Sequence, residues 1–172
     1  MTEAERRAPK KESGSVQMND VRASLDYYTQ KNCAEQWRVF VSEMLSEFYV
    51  QVDRELAESF LTRVGTRVAQ ALPLRPCDSL EDVAGDLNSI LTVIEWGWVR
   101  IEETGQHIRI VHGAYPVVPM YDNAPEHWLV PVLEGAYTEW LNSMGGDPTL
   151  RALQVGRPRS TGEPLEFLYG KH

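Results

Sequence analysis

The sequence predicts an α+β fold in which long N-terminal helices and a Trp/Tyr-rich helix pack on a small antiparallel sheet made of two hairpins. Three observations predict it. Apolar residues recur at steps of three and four through residues 36–72, 80–94 and 128–144, which is the period of an amphipathic helix. At Gly97 the period drops to two, and the alternation resumes after Thr104-Gly105 and again after a turn-rich stretch at 157–162.

Residues 1–17 are rich in charge, Gly and Ser and have no periodicity, so they read as a disordered tail. Residues 18–36 have sparse apolar positions and read as an arm that orders only against a partner or a neighbouring subunit. A single domain is expected over 37–172. Its first element carries Trp37, Phe40, Met44, Phe48, Val52, Leu56, Phe60 and Val64 as a stripe. One helix of that length would extend about 54 Å, longer than a small domain is wide, so two helices or a bend at Val52-Asp53 are expected. Pro73 and Pro76 stop the run.

Asp78 ahead of Ser79-Leu80-Glu81 reads as a capping box that opens the next helix, and Leu80, Val83, Leu87, Ile90 and Leu91 follow at helical spacing. In the first hairpin a turn at Thr104-Gly105 would pair Ile101 with Ile108 and Val99 with Ile110, which places Trp98 opposite Val111 and Arg100 opposite Arg109. Directly opposed like charges are unfavourable, so that face requires carboxylates or an aromatic plane nearby. Tyr115 to Pro125 reads as a Pro-rich loop. Trp128, Leu129, Val132, Leu133, Ala136, Tyr137 and Trp140 form a wide helical stripe with Pro131 in its first turn and Gly145-Gly146 as its stop. Leu153 and Val155, then Leu165, Phe167 and Tyr169, suggest a closing hairpin.

The chain has 172 residues, 17 Lys+Arg against 25 Asp+Glu and a formal net charge of −8, which argues against nucleic acid and anionic membranes as partners. Its apolar stretches fall far short of the ~20 residues of a membrane helix, and no secretory signal is visible, so the cytosol is the expected compartment. Cys33 and Cys77 are far apart and fit reduced thiols.

Catalytic chemistry is hard to assemble from these residues, and no cofactor or metal is expected. His107 and His112 are five apart on a strand and so face opposite ways, and His127 and His172 lack partners at ligand spacing. Glu134, inside an apolar stripe, reads as a carboxylate bonded to an Arg or a helix end, with a buried acid as the alternative. Trp37, Trp128 and Trp140 lie on stripes that read as core. Tyr27, Tyr28 and Trp98 are less easily explained as core and are candidates for contact with a ligand or partner. Trp98 shares its face with Arg100 and Arg109, which suggests a buried subunit contact, since aromatics and Arg are enriched there.

Three segments together suggest a family: Ile94-x-Trp96-Gly97 at a helix-to-strand junction, Arg109-Ile110-Val111-His112 in the second strand, and Trp128-Leu129-x-Pro131-Val132-Leu133-Glu134-Gly135-x-Tyr137-x-x-Trp140. In this order they resemble the cellulose synthase operon protein D family, the accessory D subunits of bacterial cellulose synthase. The resemblance spans roughly residues 40–144. It implies a non-catalytic subunit that assembles into a homo-octamer built from dimers and encloses passageways for glucan chains. It also implies partnership with other cellulose synthase subunits and accessory proteins, and ordered glucan export near the inner membrane. On that implication Tyr27 and Tyr28 become candidates for contact with glucan or a partner. The competing readings are a cytosolic small-ligand-binding regulatory α+β domain, with a pocket under the Trp/Tyr-rich helix, and a glucan hydrolase, for which no suitably spaced carboxylate pair stands out.

Overall fold

A computed structural model of the protein describes residues 34–118, 127–156 and 162–172. The tail at 1–17, most of the arm with Tyr27 and Tyr28, and Cys33 lie outside the described residues, as do 119–126 of the Pro-rich loop and 157–161 of the closing turn.

The long periodic stretch forms two helices, α1 (Glu35–Gln51) and α2 (Arg54–Ala71). The break falls at Val52-Asp53 because Val52 is extended and Asp53 caps α2, its carboxylate accepting the Leu56 N–H at 2.9 Å. Helix α1 begins two residues before Trp37, so the last residues of the expected arm are helical. The loop after α2 is fixed from both sides. Trp140 Nε1 donates to the Leu72 carbonyl at 2.8 Å, and Asp86 accepts the Arg75 backbone N–H at 2.8 Å and its Nε–H at 2.6 Å.

Helix α3 (Leu80–Val93) starts at Ser79, whose hydroxyl accepts the Asp82 N–H. Its end is a Schellman motif in which the Trp96 N–H reaches the Leu91 carbonyl and the Glu95 N–H the Thr92 carbonyl. Glu95 takes the left-handed position at φ 56°. Gly97 follows at φ 94°, and a Cβ there would lie 2.1 Å from the Gly113 carbonyl, so only glycine fits.

Strands β1 (Trp98–Thr104) and β2 (His107–Gly113) form the first hairpin, and β3 (Arg151–Val155) and β4 (Leu165–Gly170) the second. The sheet is antiparallel with order β1-β2-β4-β3, so the two hairpins join through β2 and β4. The first hairpin differs from expectation by two residues of register. Ile101 faces Ile110, Val99 faces His112, and Arg109 faces Glu102 instead of Arg100. The turn is Gly105-Gln106, with Gly105 at φ 60° in the place a II′ turn gives to glycine. A two-residue shift keeps every side chain on its expected face while removing the opposed arginines.

Helix α4 (Leu129–Ser143) lies on the inner face of the sheet, carries Pro131 in its first turn and ends in a second Schellman motif with Gly145 at φ 96°. Tyr137, Trp140, Phe167, Leu87, Leu91 and Ile110 are among the largest fully enclosed apolar side chains of the described residues. Helix α2 packs on the other side of α4 at a backbone-to-backbone crossing. A Cβ on Gly65 would sit 1.8 Å from the Val132 carbonyl oxygen, and one on Gly135 would sit 1.9 Å from that of Thr62.

Both edges of the sheet are met by helix side chains. On β1, Asn88 of α3 accepts the Val99 N–H at 2.9 Å and donates to its carbonyl at 2.8 Å. On β3, Thr138 and Glu134 of α4 accept the N–H groups of Ala152 and Gln154 at 2.9 and 2.8 Å.

Candidate functional site

The three sequence segments that carry the family resemblance meet at one point inside the protein. His112, on β2, is fully buried; its Nε2 lies 2.7 Å from the Trp96 carbonyl and its Nδ1 2.5 Å from the Tyr137 hydroxyl. A carbonyl can only accept, so Nε2 carries the proton and Nδ1 accepts from the Tyr137 O–H. Desolvation pushes the His112 imidazole down to about 4 despite the Trp96 carbonyl, which favours the charged form. Burial likewise holds the Tyr137 hydroxyl far above its usual value. The joint therefore ties the α3–β1 turn, strand β2 and helix α4 together with a neutral, fully paired chain. It is a poor proton shuttle, because neither group changes state near neutral pH.

The other candidate residues separate. His107 lies beside Gly170 and near His172, with ring centroids 6.1 Å apart, away from His112. Glu134 bonds to the backbone of β3, neither to an arginine nor to a helix end, and burial raises its carboxyl. Among the described residues no group of three His, Cys, Asp or Glu gathers to hold a metal, and no helix is long and apolar enough to cross a membrane.

Two open faces remain. The first is the outer face of the sheet, where Trp98, Arg100 and Arg109 stand together. The Trp98 indole lies across Gly113, where a Cβ would come within 2.3 Å of its ring, and the residue is still 41% exposed. The carboxylates that this face requires are present: Arg100 pairs with Glu102 at 2.8 Å, and Arg109 with Glu166 at 2.7 Å and Glu102 at 3.4 Å. Leu153, on the same face of β3, is 38% exposed.

The second face was missed in the sequence because its residues read as core. Trp37 is 58% exposed and Phe40 56%, while Trp128 is half-buried and Trp140 is enclosed. From Trp37, Phe40 and Met44 on α1 the apolar strip continues through Phe48, whose ring centroid is 5.1 Å from that of Phe60, onto α2. There Phe60, Val64, Val68 and Ala71 line an open groove of about 560 Å³ edged by Arg63 and Arg67. The covered side of α1 carries Leu45 with Ser42 and Ser46, and Val41 and Tyr49 beside them, so the helix has apolar residues on both sides and its period alone does not choose between them. Beside the Trp/Tyr-rich helix, a space lined by Tyr115, Trp128 and Leu165 measures about 10 Å³, the size of one water.

The family model for the D subunit of cellulose synthase matches residues 23–167. A cellulose synthase operon protein D from Komagataeibacter xylinus is 33% identical over 110 residues, covering 63% of this chain and 70% of its own length. A second from the same organism is 32% identical over 120 residues, 69% of this chain and 77% of the relative. One from Komagataeibacter sucrofermentans is 30% identical over the same length and shares.

Proposed function

This chain belongs to the family of cellulose synthase D subunits, and from that membership we propose that it is a non-catalytic, homo-oligomeric accessory subunit that scaffolds synthase complexes for ordered glucan export. Membership itself implies association with the cellulose synthesis machinery. The observation that most supports the finer reading is the use made of the polar residues in the shared segments. His112 and Tyr137 bond to one another and to Trp96 in a dry interior, where they hold elements together and reach no substrate. The conspicuous exposed residues are instead of the kind that subunit contacts use.

In this reading the outer sheet face, with Trp98, Arg100 and Arg109, is a contact for another subunit or an accessory partner. Tyr27 and Tyr28, in the arm ahead of α1, are contacts for glucan or a partner. An octamer built from dimers needs at least two different contacts, and the sheet face and the α1–α2 face are two. The protein works on the cytoplasmic side of the synthase.

The first test is absolute mass in solution by light scattering across a tenfold concentration range. A constant mass near eight chains is expected, and a monomer at every concentration would overturn the oligomer. Deleting the gene should lower cellulose yield or order while membranes keep polymerising activity in vitro; complete loss of that activity would contradict an accessory role.

A further inference from the structure

We propose that the apolar strip of α1 and the groove of α2 are a self-complementary docking surface, in which α1 of one copy lies in the α2 groove of a second while the second copy's α1 lies in the first copy's α2 groove. The proposal rests on the homo-oligomer above only in requiring a second copy.

Charge selects this occupant. Along the α1 strip, Glu43 and Glu47 stand one turn apart beside Phe40 and Met44. Along the α2 groove, Arg63 and Arg67 stand one turn apart beside Phe60 and Val64. The two pairs have the same spacing, about 6 Å along a helix axis. Among the described residues neither arginine has an ion-pair partner within the chain. A surface that is acidic on one half and basic on the other matches itself after a two-fold rotation, which brings each acidic half against a basic half. A nucleic acid or an anionic membrane would meet the glutamates of α1, and a basic partner would meet the arginines of α2. Only a ligand with the same division of charge satisfies both halves, and a second copy carries it.

The apolar part fits the same geometry. Phe48 and Phe60 make the strip continuous across the Val52-Asp53 bend, so a partner helix seated on α2 also approaches α1. Trp37, Phe40 and Met44 are large, flat or adaptable side chains, the types enriched where protein surfaces meet.

The test is charge reversal on exposed positions, with folding checked by circular dichroism and mass by light scattering. Glu43→Lys with Glu47→Lys makes both halves basic, and Arg63→Glu with Arg67→Glu makes both halves acidic. Each double variant alone should self-associate at least tenfold more weakly than wild type. Mixing the two should restore association, because each basic half then meets an acidic one. The chain carrying all four changes should associate with itself as wild type does. If the wild type is a monomer, the oligomer reading and this contact both fall. If the wild type is an oligomer and the double variants keep its mass, or the fourfold variant does no better than the doubles, this contact is wrong while the oligomer stands.

Discussion

Replacing Gly135 by alanine tests how closely α2 and α4 approach. The added Cβ would lie 1.9 Å from the Thr62 carbonyl oxygen, 2.8 Å from its carbonyl carbon and 3.1 Å from the Thr66 nitrogen, whereas real Cβ contacts stay beyond 3.0 Å. All three obstacles are backbone, so no rotamer change relieves them and the helices must part by about 1 Å. A gap of that size forfeits a quarter to a half of each lost contact's attraction. Overpacking of this kind costs about 3 kcal/mol at the upper end of its usual range, and the gain from removing a mid-helix glycine returns about 1 kcal/mol. A net loss of about 2 kcal/mol lowers the Tm of a chain this size by about 4–8 °C. Gly85 is the control, since it lies in α3, is exposed, and a Cβ there would meet nothing within 4 Å. Gly85→Ala should raise the Tm by about 1–4 °C. Both variants are melted at one subunit concentration, because association shifts apparent stability. A Gly135→Ala protein that melts at or above wild type would show that the helices do not meet backbone to backbone.

Tyr137→Phe leaves His112 Nδ1 without a donor in a dry site and should cost about 1–3 kcal/mol by urea denaturation; an unchanged midpoint would mean that water replaces the hydroxyl. The His112 imidazole is held neutral when folded and titrates normally when unfolded, so it contributes full stability above about pH 6.5 and loses it as pH falls towards 4. The loss is about 3 kcal/mol across that interval, and His112→Gln should flatten the slope, as denaturation at stepped pH would reveal. Asn88→Ala removes both bonds to Val99 and should lower stability by about 1–3 kcal/mol, with early hydrogen exchange at β1; protection there equal to wild type would argue against the clasp. Trp98→Ala should reduce the assembled mass at fixed concentration with a Tm fall under about 4 °C, whereas a large fall with assembly intact would place Trp98 in the monomer's own stability.

The helices were legible in the sequence because their signals are local. A 3.6-residue period, the capping signal around Asp78 and Gly145 as a stop each act within one turn, although the caps themselves fall on Asp53 and on Ser79, one residue past Asp78. The hairpin faces were legible for the same reason, but the register was not. Thr104-Gly105 and Gly105-Gln106 both offer a glycine, and the choice between them depends on Glu102 facing Arg109 across the strands. Trp37 and Phe40 mark the other limit. Periodicity reports that a helix has an apolar side, not whether the same chain covers it, and here the covered side of α1 contains Ser42 and Ser46. The partners of His112 were hidden because Trp96, His112 and Tyr137 come from three separate segments. The site's ingredients stood in the resemblance, but their meeting required the fold.

Asn88, Thr138 and Glu134 also decide how this protein is able to grow. An open sheet margin is a template that a second sheet can prolong without limit, which is the route to ribbons and fibres. Here one margin is clasped at Val99 and the other at Ala152 and Gln154, and the remaining stretch of β1 carries the charges of Glu102 and Glu103. Strand addition would first have to displace bonds already made. On the proposed scaffold reading, partners meet the broad surfaces of the molecule, where side chains set the orientation. On the same reading, such an architecture keeps the assembly countable while the polymer made by the machinery it accompanies is not.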